Sequence, residues 1–315
     1  MSSGLICLGL TTLDVVALPI DALPADEGTI LVERIVVAPA GTAGGTALIA
    51  SVLGVQTRLA SAVGGDLAGR VVRLGLEERG VDLSLLETLP DLPTSTTVLA
   101  VNSRGERPNF HAMGAGVFAG VSAATAAAAG ATRFLHYAGV GGPLLDGGPG
   151  AQLVASARAS GAVVTCDLIA PQPTAMEELR LLLPAVDYFL PSATEAVMLS
   201  GCEDLADAAR FFVDCGAGAC IIKAGARGAV GCLDREIILV PAYDIRPVDT
   251  TSCGDAFCAG FIAGLDRDLS ALEACRFASA TAALVAQGAG TLGLLTTADD
   301  VTAAMSNLSP RAVSE

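Results

Sequence analysis

Two carboxylates, three hydroxyls and a glycine crowd into Val248-Asp249-Thr250-Thr251-Ser252-Cys253-Gly254-Asp255-Ala256-Phe257, and an apolar run to Leu265 follows. An extended segment bounded by Pro241 and Pro247 leads into it. The pattern predicts a polar turn opening a helix whose first residues are Gly254 and Asp255. A helix start carries unpaired N–H groups and the positive end of the macrodipole, so it can hold an anion. An aspartate there can cap the helix, or it can take a proton from an incoming hydroxyl. The chemistry suggested is group transfer onto an alcohol, with phosphate as the natural anion. A merely capped helix would use the same residues, so the surroundings must decide.

Four other places could serve such chemistry. The apolar run Leu5 to Gly9 ends in Leu10-Thr11-Thr12-Leu13-Asp14, which puts a carboxylate near the end of a strand. In open α/β sheets ligands gather there, although Asp14 could equally be a turn residue. Pro39 to Ala47 is a glycine-rich turn (Gly41, Thr42, Gly44, Gly45) running into a helix that Gly54 stops. Backbone can approach a ligand closely at such a turn, yet it is neither a Walker loop nor a dinucleotide fingerprint. Ser192-Ala193-Thr194-Glu195 follows a strand and has the form of a capping box, as does Ser270-Ala271-Leu272-Glu273. Lys223-Ala224-Gly225-Ala226-Arg227-Gly228 and the loop 286–291 are backbone-rich turns that could touch phosphate or simply be solvated.

The elements that must position these residues alternate. Strands are expected at 58–63, 134–137, 162–166, 187–190 and 219–223, with helices at 66–79, 151–159, 193–200 and 203–215 between or after them. That alternation predicts an α/β fold with a doubly wound, mainly parallel sheet and helices on both faces. Thr29–Val37 is β-branched with no helix between it and the first strand, and Thr96–Asn102 is a second such piece, so both read as antiparallel material laid over the core. A single domain over 1–315 is expected, with lid segments at about 15–39 and 94–114. Residues from Ser309 onward are expected to form a disordered tail.

Composition removes several classes. With 315 residues, 52% hydrophobic, the chain can bury a large core. A net charge of −15 argues against a nucleic-acid partner, and any phosphorylated ligand must be held by a few local donors. No stretch suits a membrane span, and no basic n-region precedes the first apolar run. Nine cysteines without a C-x-x-C pair fit a reducing cytoplasm, and two histidines exclude a His-rich metal site.

In their order along the chain, these motifs resemble the ribokinase-like (PfkB) family of carbohydrate and nucleoside kinases, whose signature reads D-T-x-G-A-G-D. The motifs concerned are Gly9…Asp14, the turn at 41–45, Val63-Gly64-Gly65-Asp66…Gly69, Ser192…Glu195, Gly225-Ala226-Arg227-Gly228 and Asp249-Thr250-Thr251…Gly254-Asp255. The resemblance implies ATP- and Mg²⁺-dependent phosphorylation of a hydroxymethyl group on a sugar. It makes Asp255 the general base and the backbone of Ser252, Cys253 and Gly254 the anion hole. It gives Asp14, Gly41, Thr42 and Gly45 to the substrate, and Ser192, Lys223, Gly225, Arg227, Gly228 and Ser279 to the nucleotide. Glu195 would act on Mg²⁺ through water, while Asp249, Thr251 and the loop 288–290 would hold a monovalent cation such as K⁺. The antiparallel pieces would form a β-lid that also mediates a homodimer.

This sequence departs from the family pattern in places. Ser252-Cys253 stand where Gly-Ala is usual, so Ser252 is expected to avoid the positive φ open to glycine. Gly45 replaces an Asn that binds substrate hydroxyls, Ala40 a Gly, and Ser192 an Asn. A nucleoside kinase on the same scaffold, or a ligand-binding relative with weak turnover, are the alternative readings.

Overall fold

Alternation within single strands explains the main sheet. All five residues of the first strand, β1 (Leu5–Gly9), are buried; Ile6 and Leu8 join one apolar cluster, Leu5 and Cys7 another. A strand apolar on both faces has to lie inside a sheet covered on both sides. The computed structural model describes residues 4–311 apart from 170, 171 and 173, and it has that arrangement.

From β1 the chain leaves the main sheet through β2 (Thr12–Leu18) and β3 (Arg34–Ala40), then returns by α1 (Thr42–Val52) and β4 (Thr57–Gly64). After α2 (Leu67–Glu77) and β5 (Leu86–Leu89) it makes a second excursion through β6 (Thr96–Ala100) and β7 (Asn109–Ala112). Next come α3 (Ala123–Ala129), β8 (Phe134–Val140), α4 (Pro149–Ala159), β9 (Val163–Leu168), α5 (Ala175–Leu182) and β10 (Tyr188–Phe189). Then follow α6 (Ala193–Ser200), α7 (Leu205–Asp214), β11 (Ala219–Lys223) and a hairpin of β12 (Ala229–Leu233) and β13 (Glu236–Val240). Three helices close the chain, α8 (Cys253–Asp266), α9 (Ala271–Ala286) and α10 (Ala298–Asn307).

The strand order is β13-β12-β11-β10-β9-β8-β1-β4-β5, parallel from β5 to β11 with the hairpin antiparallel at one edge. From β1 the chain proceeds to β4 on one side, while β8 lies on the other. A reversal of this kind leaves a crevice outside the carboxyl ends of the strands. Helices α4 to α7 pack on one face, and α1, α2, α8, α9 and α10 on the other. Helix α8 is buried from Ala256 to Gly264. A Cβ on Gly260 would stand 2.8 Å from the Ala278 Cα, and one on Gly264 2.8 Å from the Ala274 Cα, so α8 and α9 meet at nearly backbone distance.

The two excursions form a second sheet in the order β3-β2-β6-β7. Its register puts Asp14, Thr97 and His111 in one row across three strands. The adjacent row, Val37, Val15, Val98 and Phe110, faces the opposite way by the two-residue period of strands.

Several expectations need correction. Asp14 lies within strand β2, not in a turn: Gly9 (φ 150°) ends β1, and the chain enters the lid at Thr12, three residues later. The expected strand at 29–37 begins only at Arg34 and runs to Ala40. Helix α1 starts at Thr42, so Gly44 and Gly45 belong to its first turn. The tail expected from Ser309 is paired at its start. The Asp244 N–H donates to Ser309 O at 2.9 Å and the Arg311 N–H to Ala242 O at 2.7 Å. Residues 312–315 lie outside the described residues.

Candidate active site

Helix α8 begins with its N-terminal groups open. Gly254 is exposed, and the N–H groups of Gly254 and Asp255 find no acceptor among the described residues, whereas the Ala256 N–H already bonds Ser252 O at 2.8 Å. The Cys253 thiol points away, toward Ala282 O at 3.8 Å, so at this position only backbone is presented. Ser252 takes the left-handed conformation (φ 55°, ψ 11°), against the expectation that it would avoid positive φ. The turn therefore keeps the geometry that glycine would adopt more cheaply, at a strain of about 1–2 kcal/mol. Its restraint comes from below. Both Asp249 oxygens are engaged: Oδ1 accepts from the Thr251 N–H (2.8 Å) and Oγ1 (2.6 Å), and Oδ2 from the Gly290 N–H (2.9 Å). Asp249 and Thr251 are thus joined to the loop 288–290.

Asp255 sits in the first turn of α8, against the first turn of α1. A Cβ on Gly45 would lie 2.7 Å from Asp255 Oδ2, so the carboxylate occupies space that a side chain at position 45 would need. Burial, and then the charge of Asp167, push its pKa up to about 7, Asp14 adding to the rise. Lys223 and a hydrogen bond from Ser252 oppose it. At neutral pH such a group is partly ionised and suited to accepting a proton.

Asp167, at the end of β9, is a centre to which no motif in the sequence points. Its Oδ2 pairs with Lys223 Nζ at 2.5 Å and receives the Cys258 thiol at 3.3 Å. Lys223 is therefore turned into the protein, not out toward solvent. Burial works against its charge, but Asp167, Cys258 and Glu195 hold its pKa above the ordinary lysine value. The carboxyl of Glu195 is raised by burial and by Asp167. His136, wholly buried beneath this group, bonds Thr165 Oγ1 through Nδ1 at 2.9 Å and is pushed down to about 4 by burial, so it stays neutral.

The remaining expected residues are distributed around this centre. Ser192 and Glu195 form a reciprocal capping box on α6, with the Ser192 N–H donating to Glu195 Oε2 at 2.7 Å. Ser192 also bridges to Lys223 in the sheet, which ties the box to the ion pair. Gly225 and Gly228 take positive φ (58° and 85°) around an exposed Arg227. Gly41 (φ 91°) starts α1, where a Cβ would meet Leu10 O at 2.7 Å. The hydroxyl of Thr42 is spent on Ala138 O (2.9 Å) and that of Ser279 on Pro241 O (3.0 Å). Asp66 proves to be a brace. It caps α2 through the Gly69 N–H and accepts from Thr94 N–H (2.9 Å) and Oγ1 (2.6 Å) just before β6.

The lid supplies residues that the sequence did not single out. Asp14 is buried and accepts from Thr12 Oγ1 at 2.8 Å, and its pKa is raised by burial while Thr12, Thr97, His111 and Arg107 pull it back. Thr97 Oγ1 and His111 Nδ1 are 3.1 Å apart. The only signal for Thr97 and His111 was their two-residue alternation with Val98 and Phe110, which has no meaning until the register with Asp14 is known.

What these elements assemble is the frame of a phosphotransferase with an alcohol as acceptor. Residues 2–298 match the pfkB family of carbohydrate kinases, and the chain belongs to that family. It is 27% identical over 290 residues to a nucleoside kinase of Methanothermobacter thermautotrophicus, covering 91% of this chain and 90% of that one. It is 27% identical over 294 residues to a ribokinase of Haemophilus influenzae, covering 90% and 92%. Among solved structures, Arabidopsis thaliana ribokinase complexed with ribose and ATP aligns with a TM-score of 0.80 at 22% identity, over 97% of this chain and 99% of that one. A putative ribokinase II from E. coli with ATP and Mg²⁺ aligns at 0.81 and 23%, over 96% and 99%. At such identities the structural likeness is one of fold.

Proposed function

We propose that the protein transfers the γ-phosphoryl group of ATP to a hydroxymethyl group of a sugar, with Asp255 as general base. The observation that carries this reading is the placement of the Asp255 carboxylate, its pKa pushed up to about 7 by burial, in the first turn of a buried helix where the Gly254 and Asp255 N–H groups have no acceptor among the described residues. Asp255 takes the proton of the acceptor hydroxyl as its oxygen bonds to phosphorus and the bond to the ADP oxygen breaks. The N–H groups at 252–255, backed by the α8 dipole, stabilise the charge that develops. Asp14 and the backbone of Gly41–Gly45 hold the sugar. Ser192, Gly225, Arg227, Gly228 and Ser279 border the nucleotide, while Lys223 acts from beneath through its pair with Asp167.

The donor set fits a magnesium nucleotide. Both Asp167 oxygens are already engaged, by Lys223 and Cys258 and by the Leu168 N–H, so Glu195, held by the Ser192 N–H through Oε2 alone, is the carboxylate left for the ion. A small hard ion that keeps waters and phosphate oxygens suits such a site, with Glu195 acting through water. Bound Mg²⁺–ATP supplies the phosphoryl group and neutralises its charge. The same reading gives Asp249, Thr251 and the loop 288–290 to a monovalent cation such as K⁺. Replacing K⁺ with a bulky organic cation should then slow turnover, and unchanged rates would remove the cation from the scheme.

The exposed row Val37, Val98, Phe110, with Ile35 beside it, supports homodimerisation through the lid. Nine free cysteines agree with a reducing cytoplasm.

The test is a panel of sugars and nucleosides with ATP and Mg²⁺, run beside Asp255→Asn. ADP release above that control supports the reading, and none on any acceptor refutes it. The 27% identity to a nucleoside kinase favours one second reading, a nucleoside acceptor, which the same panel separates. Thermal stabilisation by one compound without turnover would point to a binding protein.

A further inference from the structure

The loop between β6 and β7 carries two arginines in opposite situations. Arg104 is spent within the loop: its Nη2 is 2.6 Å from Glu106 Oε2, and Glu106 is held by Asn102 Nδ2 at 2.7 Å. Asn102 Oδ1 also accepts from the Arg104 and Glu106 N–H groups, each at 3.0 Å, and Asp21 holds Ser103 through its N–H and hydroxyl. The loop is thus shaped by its own polar contacts. Arg107 takes no part in them. Its Nε donates to Thr250 Oγ1 at 3.1 Å, crossing from the lid to the turn that builds the anion hole. Among the described residues its guanidinium pairs with no carboxylate.

Two further observations locate its charge. Burial pushes the Cys253 thiol up to about 12, and Arg107 is the charge that pulls it back. Arg107 likewise counteracts the rise at Asp14. The guanidinium is therefore felt both at the anion hole and at the carboxylate assigned to the sugar. The phosphoryl group has to cross the interval between them. Lys223, which lies beside the first turn of α8, is cancelled by Asp167 at 2.5 Å. In a chain of net charge −15, an uncancelled cation at that place is a considerable local asset for a polyanionic donor.

Resting on the kinase reading above, we propose that Arg107 is a catalytic residue carried by the lid, whose terminal nitrogens bind the non-bridging oxygens of the phosphoryl group in transit. A planar guanidinium with two free amino groups matches two such oxygens, and it contributes most where negative charge is spread over them. The Thr250 contact holds the side chain aimed at the hole. Lid position and chemistry are thereby linked through one residue, since the same loop that borders the substrate delivers the charge.

The test compares Arg107→Ala, Arg107→Lys and the charge-matched control Arg104→Ala with wild type, on the acceptor that wild type uses best. Arg107→Ala is expected to lower kcat about 100- to 1000-fold, somewhat below what an arginine finger can supply, with acceptor KM within about threefold. Arg107→Lys should recover part of the loss, because it keeps charge without the fork, and added guanidinium ion should partly restore Arg107→Ala. A second readout needs no turnover: trapping of ADP, acceptor and aluminium fluoride, a planar phosphoryl mimic, measured by calorimetry, should weaken in Arg107→Ala and persist in Arg104→Ala. An unchanged kcat in Arg107→Ala overturns the proposal. So does a raised KM at constant kcat, which would make Arg107 a contact to the acceptor itself, and so does an equal loss in Arg104→Ala, which would mean loop disorder. Wild type inactive on every acceptor refutes the kinase reading, and this proposal with it; an active wild type matched by Arg107→Ala refutes this proposal alone.

Discussion

Replacing Asp167 by Asn should move the acid limb of the pH–rate profile downward, although Asp167 is assigned no contact with the acceptor. Asp255 is held near 7 instead of 3.8, a preference for the neutral form of roughly 4 kcal/mol. Burial is the largest cause and the charge of Asp167 the next, while Lys223 opposes both. The substitution removes a negative charge and also frees Lys223 from its partner, so both changes favour ionised Asp255. At an effective dielectric near 20, a unit charge acting over a nominal ~10 Å is worth about 1.7 kcal/mol, or on the order of one pH unit. The assay is kcat/KM for the acceptor from pH 5 to 9, with nucleotide and magnesium identical for both proteins so that titration of ATP cancels. Leaving Lys223 buried without its partner costs about 3–5 kcal/mol, so circular dichroism must confirm folding. The double variant Asp167→Asn/Lys223→Met removes the pair as a neutral unit, and its limb should return toward wild type. An acid limb that stays in place or rises in the folded single variant would show that Asp255 is not the titrating base.

Asp255→Asn should abolish turnover and raise stability at pH 8. The folded pKa lies above the unfolded one, so the native state binds the extra proton, and stability is lost as pH rises from about 4 to about 7. A melting-temperature gain at pH 8 that vanishes near pH 4 would agree; an equal gain at both would not. Ser252→Gly should change unfolding free energy by less than about 1 kcal/mol, because relief of left-handed strain is offset by a more flexible unfolded chain. Ser252→Val should cost about 1–3 kcal/mol in urea titrations, and a fully stable Val variant would refute the need for positive φ there. Placing Asp at both Ile35 and Phe110 should convert a lid-mediated dimer to monomer in sedimentation, with the main-sheet fold retained; an unchanged mass would remove the lid as the interface.

The doubly wound sheet was legible because its strands are apolar on both faces and its helices carry ordinary stops such as Gly54 and Gly80. The signature at 249–255 was legible because a helix start needs few residues to declare itself. What escaped were features that depend on register or on charge across long sequence distances. Strand β2 was not legible because Gly9 and Thr11 just before it allow a turn at Asp14 as readily as a strand, and its pairing with β3 and β6 cannot be inferred from local pattern. Asp167 and Lys223 are 56 positions apart, and only the adjacency of β9, β10 and β11 brings them together. Arg107 and Thr250, 143 positions apart, meet because the lid folds over the crevice. The conformation of Ser252 was misjudged for a different reason. Propensity argues against positive φ in serine, but the bonds from Asp249 to Thr251 and Gly290 restrain the turn more strongly than propensity does.

Helix α8 has a consequence for how damage to this protein would present itself. Its body touches α9 at backbone distance, while its first turn is open. A substitution such as Gly260→Ala would thus leave every group at the site chemically intact. It would act through the population of folded molecules, producing a temperature-sensitive enzyme with normal KM in whatever fraction survives. A substitution six residues earlier, at Gly254, where a Cβ would meet only Lys223 Nζ at 3.7 Å, would do the opposite: folding would be spared, and under the proposed reading any loss would fall on turnover. Growth or activity at lowered temperature therefore sorts lesions along a single helix by their depth.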